Sequence, residues 1–159
     1  MESIAQSIVD TGLERGFTLS TAESCTAGMV ASLVADIPGA SSVLRGGAVT
    51  YCNEIKHKVL GVSQETLDTY TAVSEQTACE MAAGSRGLFD STVAVSLTGY
   101  AGPGGGTDTD PAGTVYIGIS SRRGTYAERF VFNGSRNEVR SQAATKALEL
   151  VLAEWNAIV

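Results

Sequence analysis

From Thr92 to Thr98 the chain reads Thr-Val-Ala-Val-Ser-Leu-Thr, seven residues that are apolar or small on both alternating faces. A strand of that kind offers no face to water, so it predicts the centre of a sheet covered by helices on both sides. The flanking patterns agree. Ile4, Ile8, Val9 and Leu13 recur at helical spacing within residues 2 to 15, and Gly16 closes that pattern before a strand over Phe17 to Thr21. A helix from Ser24 to Asp36 stops at the turn signal Ile37-Pro38-Gly39, and Ala48 to Tyr51 reads as a second strand. A short helix follows over Asn53 to Leu60. Ser74 caps a long one that carries Glu75 in its first turn and Cys79, Met81, Ala82 and Leu88 beyond it.

After the apolar strand, Thr114 to Ser120 and Tyr126 to Phe132 form a hairpin around Arg122-Arg123-Gly124. A last helix begins near Ser135 and buries Val139, Ala143, Ala144, Leu148, Val151, Leu152 and Trp155. Helices alternate with strands up to the hairpin, which predicts a three-layer α/β/α sandwich with a mixed sheet, one domain over residues 1–159.

Three polar clusters sit where strands are expected to end: Ala22-Glu23-Ser24-Cys25-Thr26-Ala27-Gly28, Tyr51-Cys52-Asn53-Glu54-Ile55-Lys56, and Thr98-Gly99-Tyr100-Ala101-Gly102-Pro103-Gly104-Gly105-Gly106. A helix opening in hydroxyls, a thiol and glycine presents unpaired N–H groups and the positive dipole end to an anion, although Ser24 or Thr26 acting only as an N-cap explains the first cluster equally simply. The third lacks the Lys-Ser/Thr of a P-loop and does not open a helix. Its glycines permit close approach to phosphate or amide, or else mark a flexible excursion through Asp108 and Asp110. No metal is assigned to those two aspartates.

The nucleophile and base remain open from the residues alone. Cys25 as a thiolate needs an imidazole, and the single histidine, His57, lies between two lysines; a small buried cysteine and a surface histidine are the plainer reading. A lysine kept neutral by burial, Lys56 or Lys58, is the remaining base for a serine. A net charge of −6 with pI near 4.7 argues against nucleic acid as the main partner. The longest apolar runs are too short to span a bilayer, and the N-terminus has no basic region followed by an apolar block, so a soluble, cytoplasmic protein is expected. Three cysteines without a Cys-x-x-Cys pair predict neither disulfides nor structural zinc.

Read in order, the three clusters together with Pro38-Gly39-Ala40-Ser41-Ser42, Gly46-Gly47-Ala48-Val49-Thr50 and Ala72-Val73-Ser74-Glu75 resemble the CinA C-terminal domain, the nicotinamide-nucleotide amidase family. The resemblance spans nearly the whole chain. It implies a mixed five-stranded sheet and hydrolysis of the carboxamide of nicotinamide mononucleotide to nicotinic acid mononucleotide and ammonia, a pyridine-nucleotide salvage step without redox or metal cofactor. It further implies Ser41 as nucleophile, Lys56 as its base and Tyr51 as a neighbouring hydrogen-bonding or proton-relay group. Thr98, Gly99, Gly102 and Gly104 are assigned to substrate positioning, and Ser24, Cys25 and Thr26, with Arg140, to phosphate or ribose.

Ala27 and Tyr100 depart from the family pattern, where a second glycine and a smaller aliphatic residue are common. The chain starts at its first helix and so resembles the stand-alone amidase, with homo-oligomerisation left open. Ser24 is the rival nucleophile, and turn capping is the plain alternative for Ser41 and Ser42. A non-catalytic nucleotide-binding or regulatory module is the alternative for the whole chain.

Overall fold

A computed structural model describes residues 2–159. The chain runs α1 (Ile4–Arg15), β1 (Leu19–Glu23), α2 (Met29–Ala35), a 3₁₀ turn (Ala40–Ser42), β2 (Leu44–Val49), α3 (Asn53–Leu60), α4 (Gln64–Tyr70), α5 (Glu75–Phe89), β3 (Val93–Gly99), β4 (Thr114–Ser121), β5 (Gly124–Val131) and α6 (Arg136–Ala157). The strands form one sheet in the order β2-β1-β3-β4-β5. β1 is parallel to β2 and β3, while β4 is antiparallel to β3 and to β5. Helices α1, α2 and α6 cover one face, and α5, with α3 and α4 packed on it, covers the other. The expected α/β/α sandwich with a mixed five-stranded sheet is therefore what forms.

Val93 to Thr98 is buried at every position, as a strand apolar on both faces requires. Close layering depends on small residues there: a Cβ on Gly118, which pairs with Ser96, would sit 2.4 Å from the Ala78 carbonyl of α5. α6 starts where its chemistry dictates. The Ser135 hydroxyl accepts from the Glu138 N–H, and the Glu138 carboxyl accepts in return from the Ser135 N–H. Its inner stripe ends on Trp155, fully buried against Phe17.

Several boundaries differ from those the sequence predicts. β1 lies two residues later than Phe17–Thr21, and β2 begins at Leu44 rather than Ala48, because Gly46 and Gly47 hide a strand from any propensity argument. The predicted helix start at Ser24 is corrected to Met29: Ala27 and Gly28 take left-handed φ values of 49° and 97°, so residues 24 to 28 form a turn ahead of the helix. α4 had no expectation. Leu13 and Leu88, though in helical register, are about half exposed, and Leu152 is only half-buried.

Candidate active site

The parallel register creates the site. Glu23 at the end of β1 pairs with Val49 of β2 on one side and Leu97 of β3 on the other, so the carboxyl ends of three strands finish side by side. The next residues are tied together: the Ser24 N–H donates to Leu97 O (2.9 Å), and the Thr50 N–H donates to Glu23 O (2.9 Å). β1 then passes to α2 on one face while β2 passes to α3 on the other, and a crevice opens where the connections diverge.

Lys56 fills the floor of that crevice. It lies one turn into α3, and its side chain runs inward until Nζ stands 3.0 Å from Ser24 Oγ and 2.8 Å from the Thr50 carbonyl. Only 1% of Lys56 is exposed, and no carboxylate among the described residues forms an ion pair with it. Burial therefore lowers the amine below its usual 10.5, because the charged form loses more solvation than nearby thiols return. An amine held beside a hydroxyl and biased toward its neutral form can accept the hydroxyl proton.

The sign of the pH effect follows. Where the native lysine has the lower affinity for protons, the unfolded chain binds more of them, so stability rises with pH between the lowered native value and 10.5. Wild type should therefore gain on Lys56→Met as pH is raised through that window, read from urea midpoints across a pH series. Equal slopes for the two proteins would contradict an amine destabilised by burial.

Around the dyad the crevice is a cavity of about 240 Å³. Ser24, Cys25, Tyr51, Lys56, Thr98, Gly99, Gly102 and Gly104 all line it, so most of the residues the sequence nominates do converge. Their chemistry is more particular than their proximity. Burial pushes the Cys25 thiol up to about 11, which leaves it protonated near neutrality and removes it as a thiolate nucleophile. The Thr98 hydroxyl is committed to Ala72 O at 2.6 Å and fixes the segment leading to α5. Thr26 is fully buried, and its hydroxyl donates to the Glu23 carboxyl rather than facing the cavity.

Ser41 is not brought to Lys56. It sits exposed in the 3₁₀ turn before β2, whereas Thr50 and the Lys56 amine lie beyond the far end of that strand. Six residues of β2 separate the two ends by roughly 17 Å. The expectation of Ser41 as the serine activated by Lys56 is corrected accordingly: the serine paired with Lys56 is Ser24.

Arg140 is likewise displaced from its expected role. Its guanidinium donates to Cys25 O (2.9 Å), Thr26 O (3.1 Å) and Asn137 Oδ1 (3.1 Å), which turns it toward the backbone of the 24–28 turn and away from the cavity. The arginine that does line the cavity is Arg136, in the first turn of α6, donating to Gly102 O (2.9 Å) and Tyr51 Oη (3.0 Å). Sequence reasoning missed it. Arg136 directly after the Ser135 N-cap of a long helix was the available signal, since first-turn cations oppose the helix dipole and need another reason to be there.

His57 faces Val62 O through Nδ1 (2.7 Å), outside the cavity. Asp110 is held by Arg129 and Tyr116, and among the described residues no three His, Cys, Asp or Glu side chains cluster to hold a metal. No described helix is long and apolar enough to cross a membrane.

Comparison with known proteins places these features in a lineage. A family model described as the CinA C-terminal domain matches residues 1–155. A putative competence-damage inducible protein of Caldanaerobacter subterraneus subsp. tengcongensis is 44% identical over 94% of this chain and 36% of its own length. The nicotinamide-nucleotide amidohydrolase PncC of Shewanella oneidensis is 48% identical over 89% of this chain and 34% of its own. The chain thus spans about a third of the length of these curated relatives. Among solved structures, competence/damage inducible protein CihA from Agrobacterium tumefaciens superposes with a TM-score of 0.92 at 39% identity, covering 96% of this chain and 93% of that one. The competence damage-inducible protein A from Klebsiella pneumoniae gives 0.94 at 34%, covering 98% and 97%.

Proposed function

This chain belongs to the CinA C-terminal domain family, and we propose that it hydrolyses the carboxamide of nicotinamide mononucleotide, releasing ammonia and nicotinic acid mononucleotide. The name of the Shewanella relative supports the amidase reading, and the observation that carries it is the buried Lys56 amine 3.0 Å from Ser24 Oγ on the floor of the cavity. Neutral Lys56 takes the Ser24 proton as Oγ attacks the amide carbon. The resulting ammonium returns that proton to the departing nitrogen, ammonia leaves, and an ester to Ser24 remains. Water then attacks the ester with Lys56 again as base, and Ser24 is regenerated with the acid product. Tyr51 and Tyr100 line the cavity and are assigned to pack against the pyridine ring.

The phosphate is assigned to Arg136 at the N-terminus of α6, where cation and helix dipole act together. Arg136→Ala should raise KM about tenfold or more with kcat little changed, since a charge-assisted contact contributes about 1.5–3 kcal/mol in ground and transition states alike. Steady-state kinetics check this, and a loss confined to kcat would remove Arg136 from phosphate binding.

The reaction itself is tested by ammonia release from nicotinamide mononucleotide by purified protein, with and without chelator. Turnover undiminished by chelator is expected of a serine–lysine amidase. Absence of ammonia, or release only on adding a divalent metal, would overturn the proposal.

A further inference from the structure

We propose that Arg140 is a positioning residue that shapes an oxyanion-binding pair from the Cys25 and Thr26 amides; this rests on Ser24 being the attacking group. These two N–H groups follow Ser24 directly, in residues 6% and 0% exposed, and neither donates to a protein acceptor among the described residues. Buried N–H groups without a partner are rare in folded proteins, and two in succession beside an activated serine fit a negative oxygen that forms during reaction. The donor directly after a nucleophile is well placed to meet that oxygen.

Arg140 supplies the restraint. In a planar trans peptide the carbonyl and the following N–H point to opposite sides, so gripping Cys25 O from α6 turns the Thr26 N–H away from α6. The second grip, on Thr26 O, holds the next peptide of the turn as well. From the other side the Glu23 carboxyl accepts from the Thr26 hydroxyl (2.7 Å) and the Val30 N–H (2.9 Å). The left-handed Ala27 and Gly28 are thereby locked between a guanidinium and a carboxyl, with the two amides fixed in place.

Pyridine-3-boronic acid provides the test. A lone pair of Ser24 Oγ forms the B–O bond while the hydroxyl proton passes to Lys56, and the resulting tetrahedral anion keeps both boron hydroxyls, one of them in the oxyanion position, whereas nicotinic acid mononucleotide makes no such group. Arg140→Ala should weaken boronate binding and lower kcat by about 10- to 100-fold, leaving product affinity and KM within about twofold. Methylguanidinium should restore part of both, and Arg140→Lys, which lacks the planar fork whose Nε and Nη2 reach the two carbonyls separately, should resemble Arg140→Ala.

Equal loss of boronate and product binding would make Arg140 a merely structural residue. A raised KM with unchanged kcat would return it to substrate phosphate, and failure of wild type to bind the boronate would remove the oxyanion pair; each overturns the proposal. Wild type that binds the boronate but releases no ammonia from nicotinamide mononucleotide refutes the substrate assignment alone, and the boronate comparison between wild type and variants still decides the role of Arg140.

Discussion

Ser24→Ala and Lys56→Ala are each expected to lower turnover of nicotinamide mononucleotide by on the order of a thousandfold or more, while Ser41→Ala stays within about twofold of wild type. The asymmetry follows from position, since Lys56 Nζ touches Ser24 Oγ and the whole of β2 lies between it and Ser41. Because serine and lysine act as one unit, the double variant should be little slower than either single one. Lys56→Arg separates base from charge: arginine keeps the positive charge but cannot become neutral near physiological pH, so it should fail with alanine. Measured kcat for these five proteins, each checked for native circular dichroism, decides the matter. Near-normal turnover in Lys56→Arg would reduce Lys56 to an electrostatic role, and a Ser41→Ala enzyme as slow as the lysine variants would place the nucleophile at the other end of the strand.

The second large effect is on stability. Glu23 is fully buried, and its carboxyl accepts from the Thr26 hydroxyl, the Val30 N–H and the Ala31 N–H (2.7, 2.9 and 3.2 Å), so it closes β1, the Ser24 turn and the start of α2 into one unit. Glu23→Ala strands the Thr26 and Val30 donors in a site closed to water and the Ala31 N–H in a partly buried one. At about 1–3 kcal/mol for each unsatisfied group, less what the Thr26 hydroxyl recovers by rotating, the loss should be about 3–5 kcal/mol. Glu23→Gln retains one carbonyl oxygen for the 2.7 and 2.9 Å bonds and presents its NH₂ to Ala31, so it should fall between wild type and alanine. Urea midpoints at constant m-value provide the measurement. A Glu23→Ala protein within 1 kcal/mol of wild type would mean that the turn finds other acceptors.

These two sets of variants act on neighbouring residues by different routes. Glu23 and Arg140 brace the same five-residue turn, one through its donors and one through its carbonyls, and neither lines the cavity. Ser24 and Lys56 do line it. A large loss of stability is expected from the Glu23 variants, and loss of chemistry with the native fold retained from the dyad variants.

The layer architecture was legible in the sequence because burial on two faces and helical spacing are local properties. Val93 to Thr98 could only be a covered central strand, and the stripe from Val139 to Trp155 could only be an inward-facing helix. The clusters that supply the cavity were legible as well, since small and polar residues interrupt each strand at its carboxyl end. Which members of those clusters meet was not, because that depends on strand register, helix rotation and turn shape. The parallel pairing of Glu23 with Val49 sets Ser24 beside Thr50 and hence over Lys56, and it leaves Ser41 at the opposite edge. One helical turn separates Arg136 from Arg140, yet that turn sends the first to the cavity mouth and the second behind the Ser24 turn. Periodicity determined the fold class and the ordered motifs the family likeness, and that likeness singled out Lys56 where the residues alone left Lys58 open; the choice of serine and of arginine belonged to contacts between segments distant in the chain, which only the packed sheet brings together.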